Sequence, residues 1–325
     1  MSVLVTGAAG FIGFHAARAL LEAGERVVGL DNLNAYYDPV LKKARLAQLS
    51  ACPDFLFEAV DLADHDAVLD LVLSEAPSRI LHLGAQAGVR YSLEHPFAYA
   101  QSNLVGHLSV LEAARALGER LDHLVYASSS SVYGERSAVP FNETDCAGTP
   151  ASLYAATKRA DELMSSAYSS LYGIPATGLR FFTVYGPWGR PDMAYWLFAE
   201  RMLEGRPIEV FNNGDMERDF TYIDDVVEPL DRVLKDNPER GRHAVYNIGG
   251  SSPVRLMDMI EALERAIGVK AEKVMLPMQP GDVTRTYADT SRLQADYGYE
   301  PKVGLDEGLA LFARWFRAWR DGKAG

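Results

Sequence analysis

The sequence contains a tyrosine and a lysine spaced so that both could act on one ligand. Tyr154 and Lys158 stand four residues apart, which places their side chains on one face of a helix. About two dozen residues upstream, Ser129 lies in a serine run that follows a predicted buried strand at 121–126. A free tyrosine is protonated at neutral pH, and a nearby cation favours its ionised form. We therefore predict that Tyr154 is a catalytic base, that Lys158 assists it, and that Ser129 places a substrate hydroxyl.

A glycine-rich turn near the start of the chain predicts a dinucleotide site. Three glycines follow an apolar strand in the spacing G-x-x-G-x-x-G and open the amphipathic helix predicted at 11–23. Such glycines make a tight turn, admit a pyrophosphate close to the backbone, and pack helix against strand, while the helix N-terminus binds the anion. The predicted cofactor contacts of this turn are Gly7, Gly10, Phe11, Ile12 and Gly13.

The end of the second strand indicates which dinucleotide is bound. The strand predicted at 26–30 runs into Asp31, about 20 residues past the glycines. A carboxylate there accepts both ribose hydroxyls of NAD and repels the 2′-phosphate of NADP. Asn32 follows, and no arginine stands directly after it. We therefore expect NAD, with Asp31 and Asn32 in contact with it; the alternative is that Asp31 is only a turn residue.

Further cofactor contacts are predicted where later strands end. Asp61 and Leu62 follow the strand at 55–60 and could border the adenine. Gln86 follows the strand at 79–83, among small residues that suit a ligand crevice at the carboxyl edge of a parallel sheet. Asn103 lies early in the next long helix, where it either faces the cofactor or stands on an exposed helix surface.

Composition and charge bound the class of protein. The chain has 325 residues and a formal net charge of −12, which argues against a protein that coats nucleic acid or an anionic membrane. It contains no apolar run long enough to span a bilayer, and a core strand stands where a signal peptide would have a basic region. Cys52 and Cys146 are isolated, in no metal-ligand spacing, so we expect free thiols, no metal, and a cytoplasmic enzyme.

With these motifs in place, the chain resembles an extended short-chain dehydrogenase/reductase, and within that group the UDP-glucuronate 4-epimerases. The narrow strings are LDNLNAYYDP at 30–39, AQAGVRYS at 85–92, RFFTVYGPWGRPDM at 180–193 and ERDFTYIDD at 217–225. The resemblance implies reversible inversion at C4 of a UDP-linked uronic acid through a 4-keto intermediate and a tightly held NAD. It also implies an α/β fold, with a Rossmann-type doubly wound parallel sheet and a smaller α/β C-terminal substrate domain.

The resemblance also assigns substrate contacts. A 4-keto uronate is a β-keto acid that loses CO2 readily, so its carboxylate must be held; Arg190 is our candidate, with Thr183 assisting and Arg90 as a second candidate. The remaining contacts are Arg218 with the diphosphate, Gln279 and Asp282 with the uridine and ribose, and Ser130 and Ser131 beside the sugar. The related 4,6-dehydratases carry an Asp-Glu pair where this chain has Ser130 and Ser131, and the UDP-glucuronate decarboxylases carry a glutamate at position 131. These two serines therefore favour plain epimerisation.

The sequence also predicts a division into two domains and leaves alternative functions open. We predict an NAD-binding domain at 1–178 plus about 220–248, and a UDP-sugar-binding domain at about 179–219 plus 249–325, with the site in the cleft between them. A homodimer through the helices around 103–117 and 153–172 is expected by resemblance alone. The alternatives are a UDP-glucose 4-epimerase, which fits if Arg190 points away from the sugar, then a UDP-glucuronate decarboxylase, and last an NAD-binding regulator.

Overall fold

The computed structural model describes residues 2–134, 138–145, 149–279 and 281–323, and Cys146 lies outside these ranges. The strands, in chain order, are β1 (Ser2–Thr6), β2 (Arg26–Leu30), β3 (Phe55–Glu58), β4 (Arg79–His82), β5 (His123–Ser129), β6 (Ala176–Phe181), β7 (Thr183–Tyr185), β8 (Ile208–Val210), β9 (Glu217–Tyr222), β10 (His243–Ile248), β11 (Pro253–Arg255) and β12 (Lys273–Met275). The α-helices are α1 (Phe11–Glu22), α2 (Pro39–Leu49), α3 (His65–Glu75), α4 (Tyr91–Glu94), α5 (Pro96–Tyr99), α6 (Gly106–Leu117), α7 (Leu153–Tyr172), α8 (Ala194–Leu203), α9 (Ile223–Lys235), α10 (Leu256–Ile267), α11 (Ser291–Tyr297) and α12 (Leu305–Arg320). A π-helical turn at Ala100–Val105 precedes α6, and short 3-10 turns lie at Gly118–Arg120, Ser130–Tyr133 and Phe211–Gly214.

A parallel sheet of seven strands is the centre of the fold. Its order is β10-β6-β5-β4-β1-β2-β3, and every neighbouring pair is parallel. The order reverses at β1, so the connections that follow β1 and β4 turn to opposite faces of the sheet and leave a crevice at the carboxyl ends of these strands, where such sheets bind ligands. The predicted Rossmann-type doubly wound fold is confirmed.

Strand β1 shows why this sheet is covered on both faces. Val3 and Val5 point into the larger apolar core, which also contains buried residues of α1, α2 and α9. Leu4 points the other way, into the core built from α3 and α6. Successive side chains of a strand alternate between faces, so an uninterrupted apolar run is what a sheet buried on both faces requires.

The second half of the chain adds smaller sheets and a helical layer. Strands β11, β9 and β7 form a three-stranded sheet, while β12 pairs with β8. Helix α12 packs through aromatic side chains: the Trp315 ring lies 5.1 Å from that of Trp188, and Phe316 lies 5.0 Å from Trp196.

The structure changes the bounds of one strand that was predicted from the sequence. The strand expected at 121–126 is β5, which begins at His123 and continues to Ser129, so the serine predicted to be catalytic lies at its end. Strand β10 returns the chain to the large sheet beside β6, while the division into two domains stays a prediction. Within the described ranges no helix is long and apolar enough to cross a bilayer.

Candidate active site

A cavity of 430 Å³ lies at the carboxyl edge of the large sheet, between that sheet and the second half of the chain. It has the size typical of a small-molecule site. The predicted site residues that line it are Gly7, Gly10, Phe11, Ile12, Gly13, Asp31, Asn32, Asp61, Leu62, Gln86, Ser129, Ser130, Ser131, Tyr154, Lys158, Thr183, Arg190, Arg218 and Asp282. Three predicted site residues, Arg90, Asn103 and Gln279, are not among the lining residues.

The glycine turn has the shape that a dinucleotide pyrophosphate needs. Gly7 has φ +70°, a left-handed conformation that favours glycine. A Cβ on Gly13 would overlap the Gly7 carbonyl oxygen, so helix α1 can start this close to the turn only with glycine there. Gly10 caps α1 without a side-chain hydrogen bond, which leaves the first-turn N–H groups for a ligand. These residues therefore fit the NAD predicted from the sequence.

The ribose end of the cavity contains a cation that the sequence analysis missed. Asp31 accepts a hydrogen bond from the Leu33 N–H at 2.8 Å, and the Lys42 ammonium lies 3.5 Å from the same carboxylate oxygen. Lys42 also donates to the Asn34 side chain at 3.0 Å and lines the cavity. Lys42 lies among the buried residues of helix α2, and no sequence motif marks it.

A further hydrogen bond braces the loop that follows Asp31. The Asn32 amide donates to the Asp61 carboxylate at 2.9 Å, which ties the end of β2 to the end of β3. These two predicted cofactor contacts are therefore neighbours in space, as expected for adjacent strands whose carboxyl ends meet at one sheet edge.

Ser129, Tyr154 and Lys158 all line the cavity. The Ser129 hydroxyl oxygen accepts from the Ser131 hydroxyl at 2.9 Å and from the Ser131 N–H at 3.2 Å. The Tyr154 ring stands edge-on to Tyr99 at 6.0 Å. Helix α7 carries both Tyr154 and Lys158, so a single element sets the spacing between the proposed base and its cation.

Lys158 is buried and held by two oxygen atoms. Its ammonium donates to the Ala127 carbonyl at 3.0 Å and to the Asp161 carboxylate at 3.1 Å. Asp161 is itself buried, and burial raises the pKa of its carboxyl to about 6 although Lys158 acts in the opposite direction. Lys158 lines the cavity and Asp161 does not, so the counter-charge of the lysine lies on the side away from the cavity.

Asn103 lies behind the cavity rather than in it. Its amide oxygen accepts from the Gln86 N–H at 2.8 Å, and its amide nitrogen donates to the Gln86 carbonyl at 3.1 Å and to the Thr157 hydroxyl at 2.9 Å. Asn103 is 1% exposed, so the alternative of a solvent-facing helix position is wrong. Its hydrogen-bonding groups are used on the Gln86 loop and helix α7, which corrects its predicted role from a direct cofactor contact to a support of the cofactor loop.

Arg190 lines the cavity and has a carboxylate partner that the sequence analysis did not foresee. Its Nε donates to Asp192 Oδ1 at 3.0 Å and its Nη2 to Asp192 Oδ2 at 2.5 Å, and the Tyr36 hydroxyl donates to the same Oδ2 at 3.0 Å. Burial alone would lower the pKa of Arg190, but the Asp192 charge raises it above its usual value. Thr183 lines the same cavity. Tyr36 and Asp192 stand inside the strings at 30–39 and 180–193, where their contact could have been suspected.

The remaining predicted substrate residues fall into two groups. Arg218 lines the cavity and donates to the carbonyls of Glu217 and Thr284 at 3.0 and 3.2 Å; burial lowers the pKa of its guanidinium. Arg90 instead forms an ion pair with Asp282 at 3.1 Å and covers the Phe211 ring at 4.6 Å.

Arg90 and Gln279 make contacts that the sequence did not suggest. The Arg90 guanidinium is half-exposed and directed to Asp282 and the Phe211 ring, which offer it a charge and a π-face. Arg90 is not among the residues that line the cavity, and its role as a second candidate for the sugar carboxylate stays a prediction. The backbone carbonyl of Gln279 accepts from the Asp282 N–H at 3.3 Å, and the predicted contact of Gln279 with the uridine and ribose stays a prediction as well.

Comparison with known proteins agrees with this site. The model of the NAD dependent epimerase/dehydratase family matches residues 3–249. The chain belongs to this family. The family membership and the NAD cofactor predicted from the motifs are thereby confirmed.

Individual relatives within the family match this chain over nearly its whole length. The chain is 47% identical to a probable UDP-glucuronate 4-epimerase of Rhizobium meliloti, over 97% of each chain. The structure of the Bacillus cereus UDP-glucuronic acid 4-epimerase in complex with UDP-glucuronic acid and NAD is 35% identical, with a TM-score of 0.92, and the match covers 98% of this chain and 100% of that one. A UDP-glucose 4-epimerase of Thermotoga maritima in complex with UDP-glucose is 31% identical, with a TM-score of 0.89 and the same coverage.

Proposed function

We propose that this protein interconverts UDP-glucuronate and UDP-galacturonate by inversion at C4 of the sugar. The observation that carries the proposal is the meeting, in one cavity, of Ser129, Tyr154 and Lys158 with Arg190, a cation suited to a sugar carboxylate. The likeness to the Rhizobium and Bacillus enzymes supports the same substrate.

In this proposal each residue has one task. Tyr154 removes the proton of the C4 hydroxyl, and Ser129 holds that hydroxyl by a hydrogen bond. Lys158 stabilises the ionised tyrosine, since Asp161 and the Ala127 carbonyl keep its ammonium in place. NAD, when bound, accepts hydride from C4 and returns it to the other face of the ring. The 4-keto sugar must turn between these two events, with Arg218 as the proposed contact of its diphosphate.

Positions 130 and 131 support epimerisation over its sister reactions. Both are serines that line the cavity, and the Ser131 hydroxyl is already bonded to Ser129. A serine hydroxyl is a far weaker acid than a carboxyl group, so these positions offer no proton donor for loss of a hydroxyl from C6. Arg190 lines the cavity rather than pointing away from it, and the uronate therefore remains the preferred substrate over UDP-glucose.

The test is to incubate the purified protein with UDP-glucuronate, without adding NAD, and to follow the sugar by proton NMR. The expected result is an equilibrium mixture with UDP-galacturonate. Conversion of UDP-glucose with no change in UDP-glucuronate would replace the proposal by UDP-glucose 4-epimerase activity, and formation of UDP-xylose would replace it by decarboxylase activity.

We further propose that the protein is a homodimer in the cytoplasm, joined through α6 and α7. These neighbouring helices expose apolar side chains: Leu163 and Leu171 on α7 are 57% and 71% exposed, and Leu108 on α6 is 40% exposed. Exposed apolar patches of this kind are typical of interfaces between protein chains. Light scattering after size-exclusion chromatography should give twice the chain mass.

The dimer proposal has a matched control. Leu163→Glu with Leu171→Glu should yield a monomer, whereas Leu73→Glu changes a leucine on α3 that is 42% exposed and should leave the dimer intact. A wild-type monomer at micromolar concentration would refute the proposal.

A further inference from the structure

We propose that Asp192 is a positioning residue that keeps the substrate carboxylate from being lost as CO2, because it fixes the orientation of Arg190. The proposal rests on the proposed function, since it assumes a uronate whose carboxylate meets Arg190. It adds a requirement that the sequence did not suggest: the guanidinium must be held in one orientation, as well as being present.

The contact between Arg190 and Asp192 uses one edge of the guanidinium completely. Nε donates to one carboxylate oxygen at 3.0 Å, and Nη2 donates to the other at 2.5 Å. Such bidentate pairing fixes the plane of the guanidinium as well as its position. An arginine has five N–H donors, so the Nη1 group and the outer hydrogen of Nη2 remain. Within the described part of the chain these donors have no hydrogen-bond partner.

The free edge is the one that a substrate can reach. Arg190 lines the cavity, whereas Asp192 does not, so the carboxylate of Asp192 supports the guanidinium from behind. A second carboxylate could then bind the remaining donors in the same plane. Arg190 would lie between two carboxylates, one belonging to the protein and one to the sugar.

Tyr36 holds the supporting carboxylate in turn. Its hydroxyl donates to Asp192 Oδ2 at 3.0 Å, and its ring packs on that of Tyr91 at 4.7 Å. Burial would raise the pKa of Asp192, but the Arg190 charge and the Tyr36 hydroxyl hold it below its usual value. Asp192 is therefore ionised at neutral pH and remains a strong acceptor for both donors of Arg190.

The chemistry of the intermediate explains why the orientation matters. In a 4-keto uronate the C5–C6 bond breaks when it lies parallel to the carbonyl π system: its electron pair enters the C4 carbonyl as an enolate, CO2 leaves, and a proton returns to C5. The product is a UDP-4-keto-pentose. A carboxylate clamped on a fixed guanidinium keeps C6 out of this alignment, whereas a guanidinium that can turn would let the carboxylate reach it.

The experiment compares product ratios in wild-type and Asp192→Asn protein incubated with UDP-glucuronate and analysed by proton NMR. The amide keeps the size of the side chain but offers one acceptor oxygen, so the two-point contact is lost. We expect the ratio of decarboxylated to epimerised product to rise about tenfold or more, since displacements of about 1 Å can change reaction rates by 10²-fold. A structural defect alone would lower both products together and leave their ratio unchanged.

Two further variants keep the test decisive. Asp306→Asn removes a surface Arg–Asp pair, with 2.6 Å to Arg265, and should give the wild-type ratio. If Asp192→Asn does not fold, Tyr36→Phe removes only the hydroxyl on Asp192 and should raise the ratio by a smaller factor.

An unchanged ratio in an Asp192→Asn enzyme that still epimerises would overturn the inference and leave the proposed function intact. Failure of the wild type to form UDP-galacturonate would instead overturn the proposed function.

Discussion

The Asn103 amide donates a hydrogen bond of 2.9 Å to the hydroxyl of Thr157, which lies between Tyr154 and Lys158 on helix α7. The same amide holds both backbone groups of Gln86, which lines the cavity. One buried side chain on the π-helical turn therefore connects the proposed cofactor loop with the helix that carries the proposed base. Buried polar networks of this kind are rigid only while every member is satisfied.

Replacing Asn103 by leucine should disturb both ends of this connection. The Gln86 N–H and carbonyl would lose their partners in a buried place, at a cost of about 1–3 kcal/mol for each unsatisfied group. We expect lower thermal stability, less NAD retained after purification, and lower turnover. Asn237→Leu, at an exposed position, is the control. Full NAD content in the Asn103 variant would show that the Gln86 loop does not depend on this contact.

Tyr154→Phe tests the proposed base directly. Loss of a positioned acid or base typically lowers turnover by about 10²–10⁴. The ring contact with Tyr99 at 6.0 Å does not need the hydroxyl, so the fold and the bound NAD should be unchanged. Tyr172→Phe, on the exposed end of the same helix, provides a matched control. Turnover within a few-fold of wild type in Tyr154→Phe would remove this residue from the mechanism.

The sequence predicted those parts of the site that local patterns determine. Strand–glycine–helix order, the strand before Asp31 and the Tyr154–Lys158 spacing each lie within about 20 residues, and each is found as expected. Strand β5 runs past its predicted end because Ser128 and Ser129 pair with β6. Small polar residues such as serine have no apolar pattern from which a strand could be predicted.

Side-chain partners far apart in the chain were harder to predict. The Tyr36 hydroxyl meets Asp192 across 156 positions, a distance that no periodicity encodes. Asn103 was expected to face the cofactor or to stand on an exposed helix surface, but it lies on a π-helical turn and is hydrogen-bonded to Gln86, 17 positions away. Arg90 was predicted as a second candidate for the sugar carboxylate, and its ion pair with Asp282 joins residues that are 192 positions apart in the chain.

The pairing of Asp31 with Lys42 predicts how cofactor choice can be altered. Asp31→Asn removes the charge that repels a 2′-phosphate and leaves the Lys42 ammonium, 3.5 Å away, without its counter-charge. Charge-assisted hydrogen bonds contribute about 1.5–3 kcal/mol, so we expect NAD affinity to fall about tenfold or more while NADP affinity rises. Calorimetric titration of protein stripped of cofactor measures both.

The control for cofactor choice is Asp38→Asn. Asp38 caps helix α2 through the Val40 N–H at 2.9 Å and does not line the cavity, so its loss should not change the ratio of the two affinities. An unchanged ratio in Asp31→Asn would mean that Asp31 acts only in its turn, through the Leu33 N–H.

Buried histidines should make the protein unstable in mild acid. Burial lowers the pKa of His123 from 6.5 to about 4, and its Nε2 lies 2.9 Å from the Thr177 hydroxyl. Between these two pH values the unfolded chain binds a proton that the folded chain does not, so the free energy of unfolding falls as pH falls from 6.5 toward 4. Each such group contributes a slope of at most about 1.4 kcal/mol per pH unit.

Urea unfolding at a series of pH values measures the total slope, and His123→Gln should reduce it while the exposed His65→Gln should not. Equal slopes in wild type and His123→Gln would show that His123 takes up no additional proton on unfolding in this range.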